Sequence, residues 1–355
     1  MSENLDQVYS TSTPSQKPHI GVRVGAELVG TYFVCVMLFV VGTLGQVLYG
    51  ANTLLIAVST AASYGIVSAI LGKLSGAHYN PAVTVAALFT AKISWLDALL
   101  YIVAQVVGAI AAAATVVGIL PSSSSIPDKT WLTYVVNGFD KGSTSNSILA
   151  QTEITFNITM AIVVELIASI VVIAAAVKTL RSDGEAEENH SLIMAVAYGI
   201  GAAVTFPVTG ASMNPARSTG IALIAQNKGL DQYPLQQLWI FWVCPLLAAA
   251  IVSLVIILLN MLKAAQTSKA LADEIAADEQ AGFEDSEGVD PSAEDFQQDG
   301  QVEDATYQGS DDADGGNADA SEEDGSFGSE KEPDAEEGGE KPDSPADTDE
   351  GVKSN

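Results

Sequence analysis

Two ten-residue stretches decide the reading: Ser75-Gly76-Ala77-His78-Tyr79-Asn80-Pro81-Ala82-Val83-Thr84 and Thr209-Gly210-Ala211-Ser212-Met213-Asn214-Pro215-Ala216-Arg217-Ser218. They lie 134 residues apart and agree at five of ten positions, including a complete Asn-Pro-Ala. Asparagine is a favoured helix N-cap and proline suits the first helical position, so each triplet followed by an apolar run predicts a helix start. The runs that follow, residues 82–88 and 216–225, are about half the roughly 20 residues a membrane helix needs. They can enter a bilayer and not cross it.

Outward from these stretches, six longer apolar segments meet the length requirement, near residues 22–44, 53–71, 96–120, 156–180, 191–208 and 238–262. The expected fold is an all-α membrane protein with six transmembrane helices and two re-entrant half-helices. Three spans per half, over about 21–120 and 156–263, make the second half an upside-down copy of the first, an inverted 3+3 repeat. Each half opens with a glutamate inside an apolar run, Glu27 and Glu165. Inverted repeats of this kind place a pathway at the bilayer midplane, where two broken helices meet.

Charge divides the chain differently. Residues 264–355 hold 30 of the 43 acidic and 4 of the 15 basic residues, and so carry −26 of the net −28. Residues 1–263 are near neutral, and the low pI of about 4.1 belongs to the tail. That tail, rich in Asp, Glu, Gly, Ser and Pro, cannot bury enough apolar area to offset chain entropy and is expected to be disordered, with residues 264–279 extending the last helix. No partner for it is legible. Nucleic acid is excluded as a partner by the charge. Residues 1–20 form a polar N-terminal tail without a cleavable secretion signal. Lys17, Arg23, Lys73, Lys92, Lys178, Arg181 and Lys263 fall on one side of the six spans, which predicts both termini in the cytoplasm and a multi-pass protein of the cell membrane. Residues 121–155, with Ser122–Ser125 and several glycines, read as a surface loop on the other side. Cys35 and Cys244 sit in apolar runs and imply no bridge. His19 and His190 are near no metal-ligand cluster, so neither a metal nor a cofactor is expected.

Backbone that is not helical at membrane depth is tolerated only when buried in protein or lining a wet cavity. The segments before the two triplets would therefore offer the carbonyls of Gly76, Ala77, His78, Tyr79, Gly210 and Ser212 to a permeant. Two half-helices meeting nose to nose bring two positive dipole ends together, each worth roughly half a charge, which disfavours cations there. The side-chain amides of Asn80 and Asn214 can donate to a passing oxygen. This is conduction chemistry rather than catalysis. Arg217, a charge inside the membrane, is a functional candidate by default. His78 is read as a loop-positioning residue, not a pH sensor.

From about residue 22 to 262 the chain resembles the aquaporin family, part of the major intrinsic proteins. The resemblance rests on the two Asn-Pro-Ala triplets, Gly25-Ala26-Glu27, Ala104-Gln105 with Gly108, and Trp239-Ile240-Phe241-Trp242-Val243 with Pro245. It implies a homotetramer with one pore per subunit, embedded in lipid and passing water or small neutral solutes, with glycerol as a candidate. It implies that Glu27 and Glu165 hold the re-entrant loops in shape. It also implies a selectivity filter, which gapless counting from the asparagines places at Thr60, Ala202, Ala211 and Arg217. A four-residue shift would substitute Tyr64 for Thr60. Water channels resembling this chain carry an aromatic and a histidine at the first two places, and glycerol channels two aromatics, so three small residues beside Arg217 fit neither. Ser218, Ala222, Phe241 and Trp242 match the water subgroup, and no Asp follows Arg217. The expected function is a passive channel for water and small neutral solutes that excludes protons and ions. The rivals are a glycerol or larger-solute facilitator and, from other classes, a proton-coupled transporter or a structural membrane scaffold.

Overall fold

A computed structural model describes residues 17–286 apart from 51, 150, 151, 153 and 155, with side chains given except at 147, 148 and 278–286. Most of the acidic tail therefore lies outside the described residues, as do residues 1–16. Within them the regular structure is helical: α1 (Ile20–Val40), α2 (Gln46–Tyr49), α3 (Thr53–Ser75), α4 (Pro81–Phe89), α5 (Trp95–Ile119), α6 (Asp128–Leu132), α7 (Thr144–Leu149), α8 (Ile158–Lys178), α9 (His190–Thr209), α10 (Pro215–Ala225), α11 (Pro234–Gln237) and α12 (Ile240–Ser286). Among the described residues six helical stretches are long and apolar enough to cross a membrane. α4 and α10, at nine and eleven residues, are too short to do so.

Local chemistry sets the boundaries. The side chains of Asn52, Ser94 and Asn157 accept from backbone N–H groups in the first turns of α3, α5 and α8, satisfying donors that a helix start leaves open. α3 and α9 stop at Gly76 and Gly210, both left-handed with φ of 89° and 80°, a conformation that glycine adopts without steric cost. The first span runs on past its expected end. α1 passes through a π-helical turn, Val41–Gly45, into α2, and the Thr43 hydroxyl there donates back to the Phe39 carbonyl.

The packing repeats itself when the halves are exchanged. α1 lies along α3 and α5 as α8 lies along α9 and α12, while α4 packs on α12 as α10 packs on α5. α3 and α9, equivalent by that exchange, lie against each other at the centre. The interior between helices is lined by small residues, among them Ala86, Ala87, Ala109, Ala112, Ala113, Ala248 and Ala249, all without exposed surface. Close helix approach of this kind is the usual packing device where lipid removes the hydrophobic drive. The outer surface carries Phe33, Ile66, Ile70, Leu99, Val196, Ile200 and Leu254, the apolar exterior expected of helices facing hydrocarbon.

The loop over residues 121–155 departs from the expected surface connection. Leu132, Val135 and Val136 are buried against Phe39 and the apolar face of α10, and Trp131 donates from its indole to the Pro121 carbonyl. A loop that folds inward must satisfy its polar groups, and the buried Asn137 does so with several bonds at once.

Candidate functional site

The two re-entrant loops are built on one plan. In the first, Gly76, Ala77 and Tyr79 have positive φ; in the second, Gly210, Ala211 and Met213 do. These are equivalent positions, 134 apart. Left-handed conformations at non-glycine residues cost of order 1 kcal/mol or more each and persist only where the surroundings hold them.

Glu27 and Glu165 do the holding. One oxygen of Glu27 accepts from the Ser75 hydroxyl at 2.6 Å and the His78 amide at 3.0 Å. The other accepts from the Tyr79 amide at 2.7 Å and the Gln105 side chain at 2.7 Å. Glu165 repeats this on the second loop, accepting from the Thr209 hydroxyl and from the Met213 amide at 2.9 Å. Both carboxylates have no exposed surface. A buried carboxylate with each oxygen engaged by fixed donors is a loop anchor.

Asn80 and Asn214 cap α4 and α10 through their carbonyl oxygens, which accept from the Ala82 and Ala216 amides. Their amide nitrogens cross to the other repeat. Asn80 Nδ2 donates to the Met213 carbonyl at 2.9 Å, and Asn214 Nδ2 to the Tyr79 carbonyl at 2.7 Å. The two half-helices thus meet start to start, locked by a reciprocal pair of bonds. The sequence reading left the remaining amide hydrogens to a permeant, and the structure differs. Asn80 Nδ2 also donates to the Tyr198 hydroxyl and Asn214 Nδ2 to the Tyr64 hydroxyl, each at 2.8 Å. An amide has two hydrogens, so both asparagines are fully engaged.

Two mouths open toward this centre. One is lined by Leu38, Thr60, Phe206, Ala211 and Arg217, among others; the other by Lys17, Lys73, Gly76, His78 and Lys92, among others. Thr60 stands at the first mouth, and Tyr64 lies one turn deeper on α3. Ala202 is fully buried and packs in the core, while Phe206, one turn further out on α9, forms the wall there. His78 is buried, with its Nδ1 3.1 Å from the Thr84 hydroxyl and its ring edge-on to Tyr101. Ser212 and Ser218 repeat that contact in the second half at 2.6 Å.

Arg217 projects from the first turn of α10 with 5% exposure, its guanidinium 5.8 Å from the centre of the Phe39 ring. It donates to the side-chain oxygen of Asn137. The same oxygen accepts from Ser218 at 2.7 Å, and the Asn137 amide donates to the carbonyls of Thr209 and Gly210. Asn137 therefore ties the 121–155 loop, the arginine and the second re-entrant segment together, and it engages one of the carbonyls expected to face the pathway. Sequence reading missed it, because one asparagine in a loop rich in turn residues has no pattern to mark it. Tyr198 was missed although a signal existed. Tyr64-Gly65-Ile66 and Tyr198-Gly199-Ile200 repeat at the same 134-residue interval as the Asn-Pro-Ala triplets.

Residues 15–256 match the family model described as Major intrinsic protein. Aquaporin Z of Photorhabdus laumondii is 30% identical over 239 residues, covering 64% of this chain and 93% of that protein. Aquaporin-1 of Bos taurus is 33% identical over 186 residues, covering 52% and 59%, and Aquaporin-2 of Rattus norvegicus 32% over 226 residues, covering 62% and 74%. With a match spanning both Asn-Pro-Ala loops and five of the six spans in full, this chain belongs to the major intrinsic protein family of membrane channels.

Proposed function

We propose that the protein is a passive, bidirectional channel for water, admitting small neutral solutes, with Asn80 and Asn214 at the midplane and Thr60, Ala211 and Arg217 at the outer mouth. The observation that carries this is the reciprocal locking of two half-helix starts inside one chain. It concentrates two positive dipole ends at the point a permeant must pass, with the Arg217 cation a short way outward. Protons and cations meet an electrostatic barrier there that a neutral molecule does not. Thr60 and Ala211 are small at this mouth, and the Phe206 ring forms part of the same wall.

A proton-coupled mechanism would need a carboxylate on the pathway. Both candidates, Glu27 and Glu165, are engaged as loop anchors instead. Lys17, Lys73 and Lys92 gather at one mouth, while Lys129 and Lys228, in the loops at the opposite ends of the spans, are paired with Asp231 and Asp128. This asymmetry supports a cytoplasmic inner mouth, cytoplasmic termini and residence in the cell membrane. Because the pathway lies within one chain, a homotetramer would have one pore in each subunit.

Stopped-flow light scattering on proteoliposomes tests the reading. Vesicles carrying the protein should shrink under an osmotic step faster than empty ones. Rates equal to empty vesicles, both for the natural chain and for a Tyr64→Val/Tyr198→Val variant with a cleared midplane, would contradict it.

A further inference from the structure

The outer and inner mouths are separated by Tyr64 and Tyr198, which line neither of them. Their rings are stacked face to face, with centroids 3.3 Å apart and planes inclined by 4°, and both are buried to within 1%. Rings in van der Waals contact leave no passage between them. We propose that this tyrosine pair, rather than the ring of residues beside Arg217, is the size-selecting constriction of the channel, and that it must part for a permeant to cross. The proposal rests on the channel reading and adds a specificity determinant to it.

Three observations carry it. First, the pair obeys the inverted repeat. Tyr64 and Tyr198 are 134 residues apart, as are Asn80 and Asn214, and each hydroxyl accepts from the asparagine of the opposite half. Second, those hydroxyl oxygens occupy the places where a permeant's oxygen would accept from the amides. A water molecule can take over each bond as a ring withdraws, so opening exchanges one hydrogen bond for another instead of breaking it outright. Third, the helices that carry the rings approach closely at the adjoining glycines. A methyl added at Gly65 would come within 2.8 Å of the Ala195 Cβ, and one at Gly199 within 2.9 Å of the Ala61 Cβ. α3 and α9 thereby press the rings together from both sides. One ring turning aside opens a path for water; a polyol of three carbons requires both to move. This accounts for a mouth built on Thr60 and Ala211 in a channel that need not pass large solutes.

The test compares water and glycerol flux, per reconstituted protein, for the natural chain, Tyr64→Phe/Tyr198→Phe and Tyr64→Val/Tyr198→Val. The phenylalanine pair keeps the rings and loses the two hydroxyl latches. At the usual net worth of a hydrogen bond its open population should rise about fivefold for each latch, raising water flux, with glycerol flux well below that of the valine pair because the rings remain. The valine pair should raise water flux further and admit glycerol. If the double valine variant is not recovered folded, Tyr64→Val and Tyr198→Val singly should each raise water flux, and by similar factors. Variants that match the natural chain in both fluxes, all above empty vesicles, would overturn the constriction and leave the channel standing. If every protein matches empty vesicles, the channel reading itself falls.

Discussion

At the scale of single residues, the site depends on a few buried polar side chains that each satisfy several partners. Glu27, which has no exposed surface, accepts four hydrogen bonds. Glu27→Ala would strand two backbone amides, a hydroxyl and a glutamine. Leaving several buried donors unpaired should cost on the order of 3 kcal/mol or more, lowering the thermal midpoint in detergent by roughly 10 °C. Glu165→Ala, with two bonds lost, should move it the same way by less. An unchanged midpoint for Glu27→Ala would remove the loop-anchor role. Asn137→Ala should cost roughly 1–3 kcal/mol and free the Arg217 guanidinium. The ratio of urea to water flux in the same vesicles is then expected to rise, and a constant ratio would show that Asn137 does not position the arginine. The sequence made Glu27 and Glu165 legible because a carboxylate in an apolar run is costly unless engaged. Asn137 was illegible for the opposite reason, since asparagine is ordinary in a loop. Tyr64 was legible only as the alternative to Thr60 at the filter, and Tyr198 becomes legible once the 134-residue interval is applied to it.

The elements themselves were largely written in apolar length. A run half the span of a bilayer after Asn-Pro-Ala gave α4 and α10, and longer runs gave the six crossings. What length could not give was shape within an element or the path of a loop: the π-helical turn after α1, and the inward fold of residues 131–139, depend on tertiary partners. The contact between α3 and α9 is also a property of neighbours. Gly65→Leu or Gly199→Leu inserts a side chain where the facing helix already stands, and overpacking of this kind should cost about 1–3 kcal/mol and lower the recovery of folded protein. Gly25, with open space around its added methyl, serves as the control: Gly25→Leu should be close to neutral. Equal losses at Gly25 and Gly65 would indicate a general intolerance of bulk in the spans, and no special approach of α3 to α9.

For the whole molecule, conduction and the acidic tail are separable in their packing. Ser253 is the last buried residue described on α12, and residues 257–277 are exposed throughout. Deleting residues 270–355 removes most of the net charge and none of the pathway, so water permeability per protein should be unchanged. A large loss would assign the tail to the conducting mechanism. The inverted repeat gives the molecule its central property, a pathway with the same device presented from both sides at one depth: a capped half-helix, an asparagine, and a tyrosine from the opposite half. That device is an argument for passing neutral molecules while repelling cations. Its most direct test is a simultaneous record, in one preparation of proteoliposomes, of osmotic shrinkage by light scattering and of proton entry by an enclosed pH-sensitive dye. The account predicts shrinkage faster than in empty vesicles with proton entry no faster than theirs, and proton entry that rises with the amount of protein would contradict it.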